Sequence, residues 1–276
     1  MQGSGMQMNP ATHFTGELGF SHELEEGVGR GRGWNIPELC VPGTDFPHIA
    51  VMLTLSDIVT GILAGIATAP QVAVTVDFRV RILRAPPLGR YEMDGRILRT
   101  GRTLTVGETI FVVPGEDTAF AVAVGSFIAS PRPVDVRPEG FGAGAVRRGE
   151  PTLAVPFTER VGLRMLEPGI GEAYLRGDLT NSTGTIQGGV LALLGEMAAQ
   201  TLVSAETGRT FVVDDLDIRY LRAARVGPAR STTQLLQLDD DRATVAVEIH
   251  DQGSGDRHVA QVIAQCRALN DGISRA

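Results

Sequence analysis

The chain repeats itself, and that constrains its fold more than any other feature. "FTGELGF" at Phe14 to Phe20 returns as "FTERVGL" at Phe157 to Leu163, and "VDFRVRILRA" at Val76 to Ala85 returns as "DDLDIRYLRA" at Asp214 to Ala223. Between these, His48 precedes Asp57 by nine residues, as Gln187 precedes Glu196. Matched positions stay 138 to 143 residues apart along the whole chain. Matches that recur in one order at a near-constant offset mark a duplication, so both halves must share one fold. The stretch "PRPVDVRPEGFGAGAVRRGE", residues 131–150, is rich in Pro, Gly and charge and reads as a linker. The expected organisation is therefore a tail over 1–13, a first unit over 14–130, the linker over 131–150 and a second unit over 151–276.

Each half shows the same coarse order. One long apolar segment, 48–66 in the first half and 187–205 in the second, reads as a helix that is apolar on all sides. Four alternating, β-branched runs follow it, separated by Gly, Asp-Asp or Pro turns. A central helix followed by consecutive antiparallel strands predicts an α+β fold in which the sheet wraps the helix. Each helix also carries a single acid, Asp57 or Glu196, where burial is expected.

Bulk properties remove several function classes. A net charge of -7 and a pI near 5.3 argue against a nucleic-acid partner held through its phosphates. The two cysteines, Cys40 and Cys266, are far apart and fit no metal spacing, which suits a reducing cytoplasm. No basic-then-apolar export signal opens the chain, and the apolar stretches are broken by Asp57 or Glu196, so no membrane span is expected. No phosphate loop, dinucleotide fingerprint or zinc spacing is present.

The second helix opening, "GTIQGGVLALLGEMAA" from Gly184 to Ala199, resembles that of the hot-dog fold acyl-CoA thioesterases, in the phenylacetyl-CoA and 4-hydroxybenzoyl-CoA branch. The family's His-Gly-Gly stands here as Gln187-Gly188-Gly189. The first-half counterpart, "GTDFPHIAVMLTLSD" from Gly43 to Asp57, keeps His48 and Asp57 but offers Ile49 and Ala50 in place of Gly-Gly. The resemblance covers about 14–130 and 151–270 and implies a double hot-dog. It implies a site shared across two such units: the first Gly polarises the thioester carbonyl through its N–H, an Asn or Gln seven residues earlier assists, and the other unit's acid acts as base or nucleophile. Carried onto this chain, the site would be Asn181, Gln187, Gly188 and Gly189 with Asp57. Thr75, eighteen residues after Asp57, stands where some relatives place a water-positioning hydroxyl, and Asp214 is its expected equivalent after Glu196. The crossed counterpart, Pro42, His48 and Ile49 with Glu196, lacks the Gly and the amide.

Elementary chemistry runs beside the resemblance. A helix N-terminus carries unpaired N–H groups and partial positive charge, which suits an oxyanion developing on a carbonyl. Burial raises a carboxyl pKa and makes the group a base near neutral pH. The expectation is hydrolysis of acyl-CoA thioesters at one working site per chain, with no cofactor beyond the CoA of the substrate and with further assembly into a homodimer of double hot-dogs. Glu196 and His48 are either a second, degenerate site or a structural pair. The glycines could serve close helix packing instead of an oxyanion. The arginines at 79, 81, 84, 219, 222 and 225 could meet CoA phosphates, though ion pairs within the chain are the commoner use of such residues. Rival functions are acyl-CoA binding without turnover and, behind it, hydration of enoyl- or hydroxyacyl-CoA, for which no His can be placed beside Asp57.

Overall fold

The computed structural model describes residues 13–25, 27–132, 146–147 and 149–269. Residues 1–12 of the expected tail and most of the expected linker lie outside them. In chain order the elements are α1 (Phe14–Glu17), β1 (Ser21–Glu25), β2 (Val28–Asn35), α2 (Ile49–Ala67), β3 (Ala73–Ile82), β4 (Gly89–Thr100), β5 (Thr105–Val112), β6 (Ala119–Ala129) and β7 (Val146–Arg147). The second half supplies α3 (Phe157–Val161), β8 (Arg164–Glu167), β9 (Ile170–Ala173), α4 (Gly188–Thr207), β10 (Phe211–Tyr220), β11 (Ala229–Leu238), β12 (Arg242–Asp251) and β13 (Arg257–Ala268).

The strands join into one antiparallel sheet of order β7-β1-β2-β4-β5-β6-β3-β10-β13-β12-β11-β9-β8. The halves meet at β3 and β10, where Asp215 faces Arg81 and Arg219 faces Asp77. That register is symmetric about the seam: each Asp of the repeat lies opposite the Arg four residues on in the other half. The two central helices, α2 and α4, pack on each other and on this sheet, as the α+β expectation requires. Both are long and apolar enough to cross a membrane, but about 70% of each is buried in the core (72% and 67%), so their hydropathy is that of a domain interior.

Small residues set how closely α2 lies on its sheet. A Cβ built on Gly95 of β4 would come within 2.4 Å of Val59, and one on Gly107 of β5 within 3.0 Å of Thr60. Glycine in these strands admits the helix instead of breaking the sheet. The repeated short helices also meet: the Phe14 and Phe157 rings lie 6.0 Å apart, and Arg160 pairs with Glu17 at 2.6 Å.

The structure adds to the sequence reading in three places. Each half has a hairpin ahead of its helix, β1–β2 and β8–β9; β2, "VGRGRGWN", alternates Gly with Arg and lacks the β-branched signal of a strand. His13, assigned to the tail, is buried and caps α1 by accepting from Thr15 N–H. Within the expected linker, Val146–Arg147 pairs with β1.

Candidate active site

The start of α2 is a closed structure. The Glu196 side chain, from the middle of α4, reaches across and accepts from Ile49 N–H (3.3 Å) and Ala50 N–H (3.0 Å), with His48 Nδ1 at 2.8 Å from its Oε1. Glu196 and His48 are both fully buried. The N-terminal donors that could have met a carbonyl are thus occupied by a carboxyl group from the other half, which satisfies them as a cap from another element does. Glu196 and His48 are thus joined to each other across the two helices, and the carboxyl has no free reach into solvent.

The start of α4 is built differently. Gln187 caps its own helix, its Oε1 accepting from Gly189 N–H at 2.5 Å. Gly188 N–H donates to no acceptor among the described residues. Gly189, expected beside the substrate, lies instead in the helix–helix contact: a Cβ there would come within 1.9 Å of Thr54 Oγ1 on α2. It is buried, and its N–H is already taken. Gly189 N–H is therefore closed to a ligand, and Gly188 N–H is the open donor at this helix start.

Asp57 occupies on α2 the place that Glu196 occupies on α4, one methylene shorter. It is half-buried, and its Oδ1 accepts from Thr75 Oγ1 at 2.7 Å. Burial pushes its pKa up to about 6, while the Thr75 hydrogen bond acts in the opposite sense. Thr75 sits at a bulge in β3, where the pairing with β6 slips between Thr75 and Asp77; such an extra residue re-aims a side chain. The matching bulge in β10 falls between Val213 and Asp215. Asp214 is therefore the counterpart of Val76, and Val213 that of Thr75, which corrects the pairing expected from spacing. The loop after the helix is shorter in the second half, 208–210 against 68–72, and outweighs the one extra residue of α4, which accounts for the slip.

Asn181 contributes less than expected. Its Oδ1 is committed to its own loop, accepting from Thr183 N–H (3.0 Å), Thr183 Oγ1 (2.9 Å) and Thr185 N–H (3.2 Å). Only its amide nitrogen is left to face a ligand, and it donates to none of the described residues.

Tyr220, at the end of β10, was missed from sequence. A Cβ on Gly188 would lie 2.8 Å from its hydroxyl, so Gly at 188 is also what lets the phenol sit there. Burial, then the nearby Asp57, raise its pKa well above the usual phenol range. Tyr220 thus borders Gly188 and feels Asp57, which brings residues of both halves to one place. The signal was present in the repeat: "RYLRA" stands against "RILRA", Tyr220 where the first half has Ile82.

A cleft of about 940 Å³ opens over the other crossed position, lined in part by Phe46, Arg81, Asp214, Arg242 and Arg267. All six singled-out arginines are engaged within the chain. Arg79 and Arg81 hold Asp215 at 2.7 Å each, and Arg84 pairs with Glu116 and Arg219 with Asp217. Arg222 donates to His258 O, and Arg225 to Thr183 O.

A family model described as the thioesterase superfamily matches residues 46–119 and 183–257, one stretch in each half. Among solved structures, an acyl-CoA thioesterase II from Mycobacterium marinum superposes with a TM-score of 0.54 at 14% identity, over 95% of this chain and 99% of that one. The 12:0-ACP thioesterase from Umbellularia californica gives 0.62 at 12% identity, over 88% and 94%. A hot-dog protein from Alicyclobacillus acidocaldarius gives 0.56 at 10% identity, over 94% and 98%. No curated protein sequence gives a significant match. At these identities the likeness is one of fold, and the fold is a double hot-dog.

Proposed function

The chain belongs to the thioesterase superfamily, and from that premise we propose that it hydrolyses acyl-CoA thioesters at one site per chain, formed by Asp57, Thr75, Gly188 and Asn181. The observation that carries this reading is the asymmetry of the two helix starts: Gly188 N–H is open, and its counterpart Ile49 N–H is filled by Glu196.

In this reading Asp57, a carboxyl with a pKa near 6, is ionised at neutral pH yet basic enough to take a proton. A water positioned by Thr75 and Asp57 attacks the carbonyl carbon while its proton passes to Asp57. The carbonyl oxygen gains negative charge against Gly188 N–H and the positive end of α4. The tetrahedral adduct then collapses, the C–S bond breaks, and the departing sulfur takes the proton to give free CoA thiol and a carboxylic acid. Asn181 Nδ2 orients the acyl group, and Gln187 serves by holding the helix entrance in place. No cofactor enters beyond the CoA of the substrate. A cytoplasmic setting is consistent with two free, buried cysteines, whose thiols burial pushes up to about 12. Pairing of two chains completes the proposal and is checked by light scattering.

The test is release of free thiol from aromatic, medium-chain and long-chain acyl-CoAs, with the same acyl groups on acyl carrier protein in parallel. Hydrolysis that favours CoA and disappears in Asp57→Asn but persists in Glu196→Ala supports the reading. Preference for the carrier protein moves the substrate class, and no hydrolysis by folded wild type sinks the enzyme. A second reading, binding of acyl-CoA without turnover, is favoured by the cleft beside the filled helix start, which keeps space but no open Ile49 donor. Hydration of an enoyl-CoA is not favoured, because His48, the histidine in the repeated motif, is held by Glu196.

A further inference from the structure

We propose that the Tyr220 hydroxyl is a second donor to the substrate's thioester carbonyl, acting beside Gly188 N–H. This rests on the thioesterase reading and adds a catalytic residue to it.

The hydroxyl of Tyr220 is buried and has no hydrogen-bond partner among the described residues. A buried hydroxyl without a partner costs stability, and phenylalanine would fill the same volume without that cost. The unpartnered group is therefore explained if its acceptor arrives with the substrate. Its position fits this: it lies against Gly188, the residue whose N–H is open, and on the half of the molecule that Asp57 faces. Because burial and Asp57 both oppose ionisation, the phenol keeps its proton through the pH range in which Asp57 is a base. It can donate, and it does not compete with Asp57 for the water's proton.

The duplication supplies an internal control. Around the open helix start stand Gly188, Tyr220, Thr75 and Asp57. Around the filled one, at the equivalent places, stand Ile49, Ile82, Val213 and Glu196. In the second set the Ile49 N–H and the Glu196 carboxyl are spent on each other, and the hydroxyls of Thr75 and Tyr220 are both replaced by hydrocarbon. Ile82 and Val213 are both buried, so the second set presents hydrocarbon where the first presents hydroxyls. A tyrosine kept only to fill space would have no reason to follow this pattern.

The experiment compares wild type with Tyr220→Phe on the fastest substrate among phenylacetyl-, octanoyl- and palmitoyl-CoA, and measures Tm for both. The expected result is a fall in kcat of about 10²-fold, the scale of losing one oxyanion donor, with KM little changed and Tm raised. In the Asp57→Asn background, the infrared carbonyl stretch of the bound thioester should shift toward its free position when Tyr220→Phe is added. An unchanged kcat, a rise in KM alone, or a lowered Tm overturns the proposal. Wild type active with Tyr220→Phe equally active removes Tyr220 and leaves the thioesterase standing. Wild type inactive on the whole panel removes the thioesterase reading and Tyr220's role with it.

Discussion

The two central helices begin with the same architecture and opposite chemistry. At α2 a glutamate from the facing helix spans the gap and binds both backbone donors; at α4 the facing acid is an aspartate, held back by Thr75, and the first donor stays open. One methylene separates a plug from a base. The lesson is that a helix N-terminus attracts any carboxyl group within reach. A catalytic acid must be close enough to share a substrate with those donors and too short to occupy them.

The comparison can be broken at either end. Asp57→Asn should lower turnover by about 10²- to 10⁴-fold, the range for a general base, read as thiol release at pH 8. Glu196→Ala should leave turnover per folded molecule nearly intact but cost about 3–5 kcal/mol of stability, since it strands His48 and two buried N–H groups; urea titration measures this. Equal loss of activity in both variants would mean that the two helix starts are functionally alike. Gly188→Ala puts a Cβ against the Tyr220 hydroxyl and should reduce kcat by about 10- to 100-fold through displacement of the donor pair.

Finer effects sharpen the contrast. Asp57 must be ionised to act, so kcat/KM should rise with pH through about 6 and then level off. Thr75→Val removes the hydrogen bond that lowers the Asp57 pKa, so that midpoint should move upward in a pH–rate profile. The same shift has a stability consequence of fixed sign. The folded-state pKa lies above the ordinary 3.8, so the folded state binds more protons between that value and about 6, and wild type loses stability as pH rises through the window. Asp57→Asn does not titrate there. Its Tm should gain on wild type between pH 4 and pH 7, and a constant Tm difference would show that Asp57 is not desolvated.

Much of this was legible in the sequence because duplication turns single residues into comparisons. Asp57, Gly188 and Thr75 could be named as candidates from motif and spacing, and the shared Asp and Leu-Arg-Ala ending marked β3 and β10 as equivalent strands. What stayed hidden depended on reach and direction. Whether Glu196 would pair with His48 and cap α2 or stay free as a second base turns on one side-chain length across a helix pair. That Gly189 serves packing follows from Thr54 Oγ1 lying where its Cβ would be. Asp214 was misaligned because the loop from helix to strand is shorter in the second half, 208–210 against 68–72, and a one-residue slip sends a side chain to the other face of a sheet. Strand β2 was missed because its glycines serve close packing, not β propensity.

The β3–β10 seam also bears on how the chain avoids self-association. Separated from its other half, either unit would present a ten-residue strand with an unpaired row of backbone donors and acceptors, the kind of edge along which chains stack into aggregates. Joining the halves sets those two borders against each other, and among the described residues the sheet then ends at β7 on one side and β8 on the other. Duplication within one chain thereby turns two adhesive borders on each other, and it does so before the molecule has met any neighbour.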